Sequence, residues 1–136
     1  MACNGVSSVA GLQVVPTGWV HLAGAHVVRR DLERILRRHG ASPQTEFSDA
    51  TDVVILGSYR PHQLQDDKVG GTDALSQIYL SRQSRRRHVH LVFQDDLADL
   101  LVGERVQCRA IPSRWVEMKK IGHLMTVRVR PYRDDG

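Results

Sequence analysis

Cysteine is scarce in this chain: Cys3 and Cys108 are the only two among 136 residues. Two thiols so far apart are too few for a disulfide framework and too isolated for a cysteine metal site, and they fit a reducing compartment. Long apolar runs are missing too. Stretches such as Val53-Val54-Ile55-Leu56 fall far short of the roughly 20 residues that a membrane span needs, so no membrane contact is expected. No positively charged and then apolar leader opens the sequence, which leaves secretion unsupported. The expected location is intracellular: the nucleus in a eukaryote, the nucleoid or cytoplasm in a bacterium. Repeats and low-complexity tracts are absent. No serine sits in a nucleophile-elbow context, and Gly70-Gly71-Thr72-Asp73-Ala74 lacks the Lys-Ser/Thr ending of a phosphate loop. Catalysis therefore has little positive support, and a non-enzymatic role is expected.

What remains is an ordinary globular composition, 41% hydrophobic and 25% charged. It suits one domain with a modest core and room for an appendage. The charge is unevenly placed. Residues 1–103 hold 11 basic and 11 acidic side chains, whereas residues 104–136 hold 8 and 4, so the whole net charge of +4 lies in the last third. Sixteen of the 19 basic residues are arginine, the side chain suited to bidentate phosphate contacts. Genome composition produces the same bias, and both readings stay open.

Trp19-Val20-His21-Leu22-Ala23 reads as the first extended unit, closed by Gly24, because Pro16 and Gly18 are expected to interrupt any earlier strand. Residues 1–11 are expected to fray, and residues 1–18 are set apart as an N-terminal segment. A helix follows in which Val28, Leu32, Ile35, Leu36 and His39 form one stripe, with arginines around it and Gly40 as its stop. Residues 41–47 suit a short edge strand weakened by Pro43. Residues 52–56 form a continuous apolar run, the mark of a strand covered on both faces. A helix is predicted over 72–83, a strand over 88–93, and a short helix over 95–101 stopped by Gly103. Strands alternating with helices point to an α/β fold with a parallel sheet. Beyond residue 103 the chain changes character. Residues 104–112 alternate enough for a strand, 113–122 suit a helical turn or a loop, and 123–131 alternate clearly. A β-rich C-terminal extension, residues 104–136, is expected to pack on the α/β unit.

The order of these segments resembles the BRCT domain, a phosphopeptide- or DNA-end-binding module of repair and replication proteins. The resemblance covers residues 19–103 and rests on WVHLAG, a helix ending in HGA, TDVVILG, HVHLVF and DDLADLL. It implies a four-stranded parallel sheet flanked by three helices. It also implies a phosphate site made by a Ser or Thr followed by glycine after the first strand, helped by a basic residue near the second helix. Gly24 supplies the glycine and Lys68 the basic partner. Ala23 stands where the hydroxyl is expected, which argues against a phosphopeptide ligand. Leu97 stands where the final helix usually carries an aromatic residue, as in bacterial ligase-like members.

For phosphate or DNA the candidate residues are Gly24, Arg29, Arg30 and Lys68, with Arg85, Arg86 and Arg87 before the last strand of the sheet. Backbone amides at residues 25–28 are expected to receive the anion. The alternative is that the helix arginines, including Arg34, Arg37 and Arg38, only wet an exposed face while their stems cover apolar surface. His88 and His90 are expected to share one side of a strand, with His21 beside them. No carboxylate or cysteine pattern completes a ligand set, so no metal or other cofactor is expected. Trp19, Trp115, Tyr59, Tyr79 and Tyr132 would anchor a protein interface if exposed, and an uncovered edge in the β segment would permit self-association. The expectation is thus a non-catalytic interaction module of a DNA-repair, replication or chromosome-associated protein. Its partner is another protein or a second copy of itself, with DNA-end or non-specific DNA binding as the alternative.

Overall fold

The computed structural model describes residues 3–59, 88–109, 117–121 and 124–128. Its centre is a four-stranded parallel sheet made by β1 (Gln13–Thr17), β4 (Ser42–Pro43), β5 (Val53–Leu56) and β7 (His90–Phe93), in the order β4-β1-β5-β7. Val14 lies opposite Val53, and Ile55 opposite Val92. Successive side chains in a strand point to opposite faces. Val14, Val53, Ile55 and Val92 therefore share one face, and Val15, Val54 and Leu91 the other. All seven are buried, as a parallel sheet covered on both sides requires.

Two helices pack on the first of these faces: α1 (Arg29–Arg38) through Leu32 and Leu36, and α2 (Gln94–Leu101) through Leu97 and Leu100. Their stops are alike. The Gly40 amide donates to Arg37 and that of Ala41 to Leu36, while the Gly103 amide donates to Leu100 and that of Glu104 to Asp99. These are paired Schellman closures, and Gly40 and Gly103 supply the positive φ (88° and 90°) that the geometry requires. The helix stripe is narrower than expected: Val28 is 48% exposed and His39 lies on the surface. The helix expected over 72–83 lies outside the described residues.

The first strand differs from expectation. It is Gln13–Thr17, with Pro16 inside it, and not residues 19–23. Even-numbered carbonyls of β1 face β4: Leu12 accepts from Ser42 and Val14 from Gln44. The Pro16 nitrogen faces the same way, but β4 is only two residues long and has ended by then. A missing N–H costs nothing there. The domain consequently starts before residue 19, and Val6 and Val9, which belong to the segment expected to fray, lie in the core.

Between β1 and α1 the chain makes a small antiparallel hairpin, β2 (His21–Leu22) with β3 (Ala25–His26). Its two turn residues, Ala23 and Gly24, both have positive φ (54° and 82°), the pattern of a type I′ turn that matches strand twist. The C-terminal region forms strands β8 (Glu117–Ile121) and β9 (Leu124–Arg128), paired antiparallel, and β9 pairs in turn with β6 (Ser58–Tyr59). The described part of the extension is thus β-rich and pairs with the continuation of β5. The expected strand at 104–112 reduces, among its described residues, to a bridge between Val106 and Val6 and the docking of Arg109 on Leu91. Residues 117–121, expected in a helical turn or loop, are strand.

Candidate functional site

In an open parallel sheet a ligand crevice forms where successive connections leave in opposite directions. Here that point lies between β1 and β5, beyond Thr17 and Leu56. The crevice is laced shut by backbone. Gly57 donates to Thr17, while Trp19 and Ser58 exchange both of their hydrogen bonds at 2.8 and 2.9 Å. The Thr17 hydroxyl donates to Ile55 at 2.8 Å. Gly57 makes this approach possible: a Cβ there would lie 2.7 Å from the Thr17 oxygen and 2.8 Å from that of Trp19. Buried Gln94 braces the rim, accepting from the His21 amide at 2.7 Å and donating to the Ser58 hydroxyl at 3.0 Å.

Open space lies to one side, in a cavity of about 280 Å³ bounded by Gly18, Trp19, His26, Val28 and Arg29. Trp19 stacks on His26 with ring centroids 5.1 Å apart. The start of α1 opens onto this cavity, and Val28 at the cap position makes no side-chain capping bond. Asp31 in the first turn supplies the negative charge that the amino end of a helix favours.

The structure separates the predicted phosphate residues. Gly24 is at the exposed tip of the β2–β3 hairpin and not at the end of the first strand. The observed first strand ends at Thr17, followed by Gly18, but the Thr17 hydroxyl donates to the Ile55 carbonyl. Arg29 is exposed but turns its guanidinium back onto the chain. Its guanidinium donates to the Pro16 carbonyl and, at 3.0 Å, to that of Gly18, the two β4-facing acceptors that the short β4 leaves behind. Arg29 thus substitutes for missing strand. Arg30 faces outward, with a side chain 84% exposed and 4.0 Å from Asp31. Arg34, 65% exposed, approaches the same carboxylate at 3.9 Å, and Arg37 and Arg38 are exposed as well. At 100° per residue Arg30, Arg34, Arg37 and Arg38 fall within an arc of about 100° directly opposite Leu32 and Leu36. Lys68, Arg85, Arg86 and Arg87 lie outside the described residues, as do Trp115, Tyr79 and Tyr132.

A second constellation overturns one expectation, that the cysteines are isolated. His88 and His90 do lie side by side, with ring centroids 4.8 Å apart, although the strand begins only at His90. Their neighbours are Cys3 and Cys108 and not His21, which lies against His26 at 5.7 Å. Cys3 Sγ is 3.5 Å from His90 Nδ1, and Cys108 Sγ is 3.4 Å from His88 Nε2. One donor atom from each of the four residues lies within 4.8 Å of all the others. Residues 3–6 and 105–109 meet at this place because Val6 and Val106 exchange backbone hydrogen bonds at 3.0 and 2.9 Å, and the Arg109 amide donates to Leu91. Gly5 allows the approach: with φ of +87°, a Cβ there would fall 2.3 Å from the Val106 oxygen. The spacing of 84 residues between Cys3 and His88 hides the group in the sequence.

No family model, curated protein or solved structure matches this chain. No helix among the described residues is long and apolar enough to cross a membrane.

Proposed function

We propose that this chain is a non-catalytic, BRCT-like interaction module of a DNA-repair, replication or chromosome-associated assembly, and that it meets an anionic partner with the outer face of α1. The observation that carries this reading is the exposed quartet Arg30, Arg34, Arg37 and Arg38. Over nine residues it spans about 12 Å of helix, and among the described residues the acid that approaches its side chains within 4.0 Å is Asp31. Cations arrayed without base-reading geometry favour backbone phosphates or an acidic protein surface over a particular sequence. Arg29 is assigned to the scaffold and Gly24 to the hairpin.

The test is a titration of the protein against single-stranded, blunt duplex and 5′-phosphorylated recessed DNA at two salt concentrations, with sedimentation alongside. DNA affinity should fall with salt by a log–log slope of about −0.9 per contacted phosphate, so the triple variant Arg30→Glu/Arg34→Glu/Arg37→Glu should flatten it by about 2.7. Unchanged binding by that variant would remove α1 from the interface. Absence of DNA binding at low salt, together with recovery of an acidic protein partner that the triple variant loses, would place the module among adaptors. A second reading is self-association: β8 has β9 on one side and no strand on the other among the described residues, and an open edge pairs readily. Concentration-dependent mass in sedimentation would select it.

A further inference from the structure

We propose that Cys3, His88, His90 and Cys108 bind one zinc ion, which pins residues 3–6 and 105–109 to the β7 edge of the sheet. The donor set is the first reason. Two thiols and two imidazoles suit a borderline-soft ion that accepts tetrahedral S₂N₂ surroundings, whereas magnesium and calcium require oxygen ligands. The geometry is the second. Zinc–sulfur bonds of about 2.3 Å and zinc–nitrogen bonds of about 2.05 Å put tetrahedral S···N edges at about 3.6 Å. The two observed S···N separations are 3.5 and 3.4 Å. The remaining separations, at most 4.8 Å, close to tetrahedral edges with movements of about 1 Å or less.

The surroundings of the sulfurs are the third reason. The Gly5 amide donates to Cys3 Sγ at 3.3 Å, and the Leu91 amide donates to Cys108 Sγ at 3.4 Å. Amides aimed at sulfur stabilise the thiolate, the form in which cysteine ligates metal, and fix its direction. Binding expels one proton from each thiol, and two thiolates then balance the dication. The neutral centre suits a place where Cys108 is buried and the other three residues are half-buried. With four protein ligands no position is left for water or substrate, which makes the site structural and not catalytic. It joins three segments that are remote in sequence, so it restrains the unfolded chain strongly.

To test this, the full chain is reduced with a phosphine, stripped of metal and titrated with Zn²⁺ against a chromophoric chelator. One equivalent should bind more tightly than about 1 µM, and the melting temperature should rise with added zinc. Co²⁺ should give the intense visible bands of tetrahedral thiolate coordination. Cys3→Ser, at the margin of the fold, should keep the far-ultraviolet circular dichroism of the parent. It should lose the cobalt bands and bind zinc on the order of a hundredfold or more weakly. His88→Asn serves as an independent second variant with the same expected losses. Three results would each overturn the proposal: no stoichiometric binding by the reduced protein, equal affinity in Cys3→Ser and the parent, or an octahedral cobalt spectrum. Indifference to zinc combined with ready oxidation of Cys3 and Cys108 to a disulfide would instead identify a redox pair.

Discussion

Arg29 distinguishes a structural arginine from a ligand-binding one, and Arg29→Met makes the distinction measurable. The substitution keeps an aliphatic stem and removes two donors. Pro16 is buried, so its carbonyl loses a charge-assisted partner at a place poorly served by water, which costs about 1–3 kcal/mol. Gly18 is half-exposed, and water replaces most of what its carbonyl loses, leaving about 0.5 kcal/mol. A total of about 2 kcal/mol follows. With an unfolding entropy near 2.1 cal/mol/K per residue, a chain of 136 residues melts about 7 °C lower for that loss. The assay is a thermal melt followed by circular dichroism, with Arg30→Met as the control. Arg30 is exposed and makes only the weak approach to Asp31, so its variant should melt within about 1–2 °C of the parent. Arg29→Lys should recover part of the loss, because an ammonium can reach one carbonyl but cannot span both as a planar fork does. Equal melting temperatures for Arg29→Met and Arg30→Met would refute the scaffold role and return Arg29 to the list of anion contacts.

Two further perturbations probe the framework, beside the α1 reversal and the zinc titration. Leu36→Ala removes a fully buried side chain between α1 and the sheet and should cost about 3 kcal/mol, read as a lower denaturant midpoint with an unchanged slope. Gly57→Ala places a methyl group against two backbone oxygens that can move only by opening the Trp19–Ser58 bridge. It should cost about 3 kcal/mol and speed hydrogen exchange at both of those amides, whereas unaltered exchange would show that the bridge does not depend on Gly57.

The parallel sheet was legible because Val53–Leu56 and His90–Phe93 are apolar on both faces, and the helix stops were legible because Gly40 and Gly103 follow the last apolar residue of their stripes. β1 was not. Reading Pro16 as a breaker assumes that a strand is paired along its whole length on both sides, and the local sequence does not reveal that β4 stops after two residues. The same assumption sets Gly24 at the end of the first strand, whereas the structure puts it at the tip of the β2–β3 hairpin. It also hides the role of Arg29, since the carbonyls of Pro16 and Gly18 that it bonds lie in and just after that strand. The Cys–His group escaped for a different reason. His88 and His90 reveal a shared side by their spacing, but Cys3 and Cys108 join them only through the Val6–Val106 pairing, a contact across 100 positions that no local pattern encodes.

The position of β1 also decides where this polypeptide can be cut. β4 and β5 each bond to β1 and not to one another, so a fragment beginning at Trp19 would leave two strands facing across a gap of about 10 Å, twice the normal interstrand spacing. Such a fragment would discard the keystone along with the first eighteen residues.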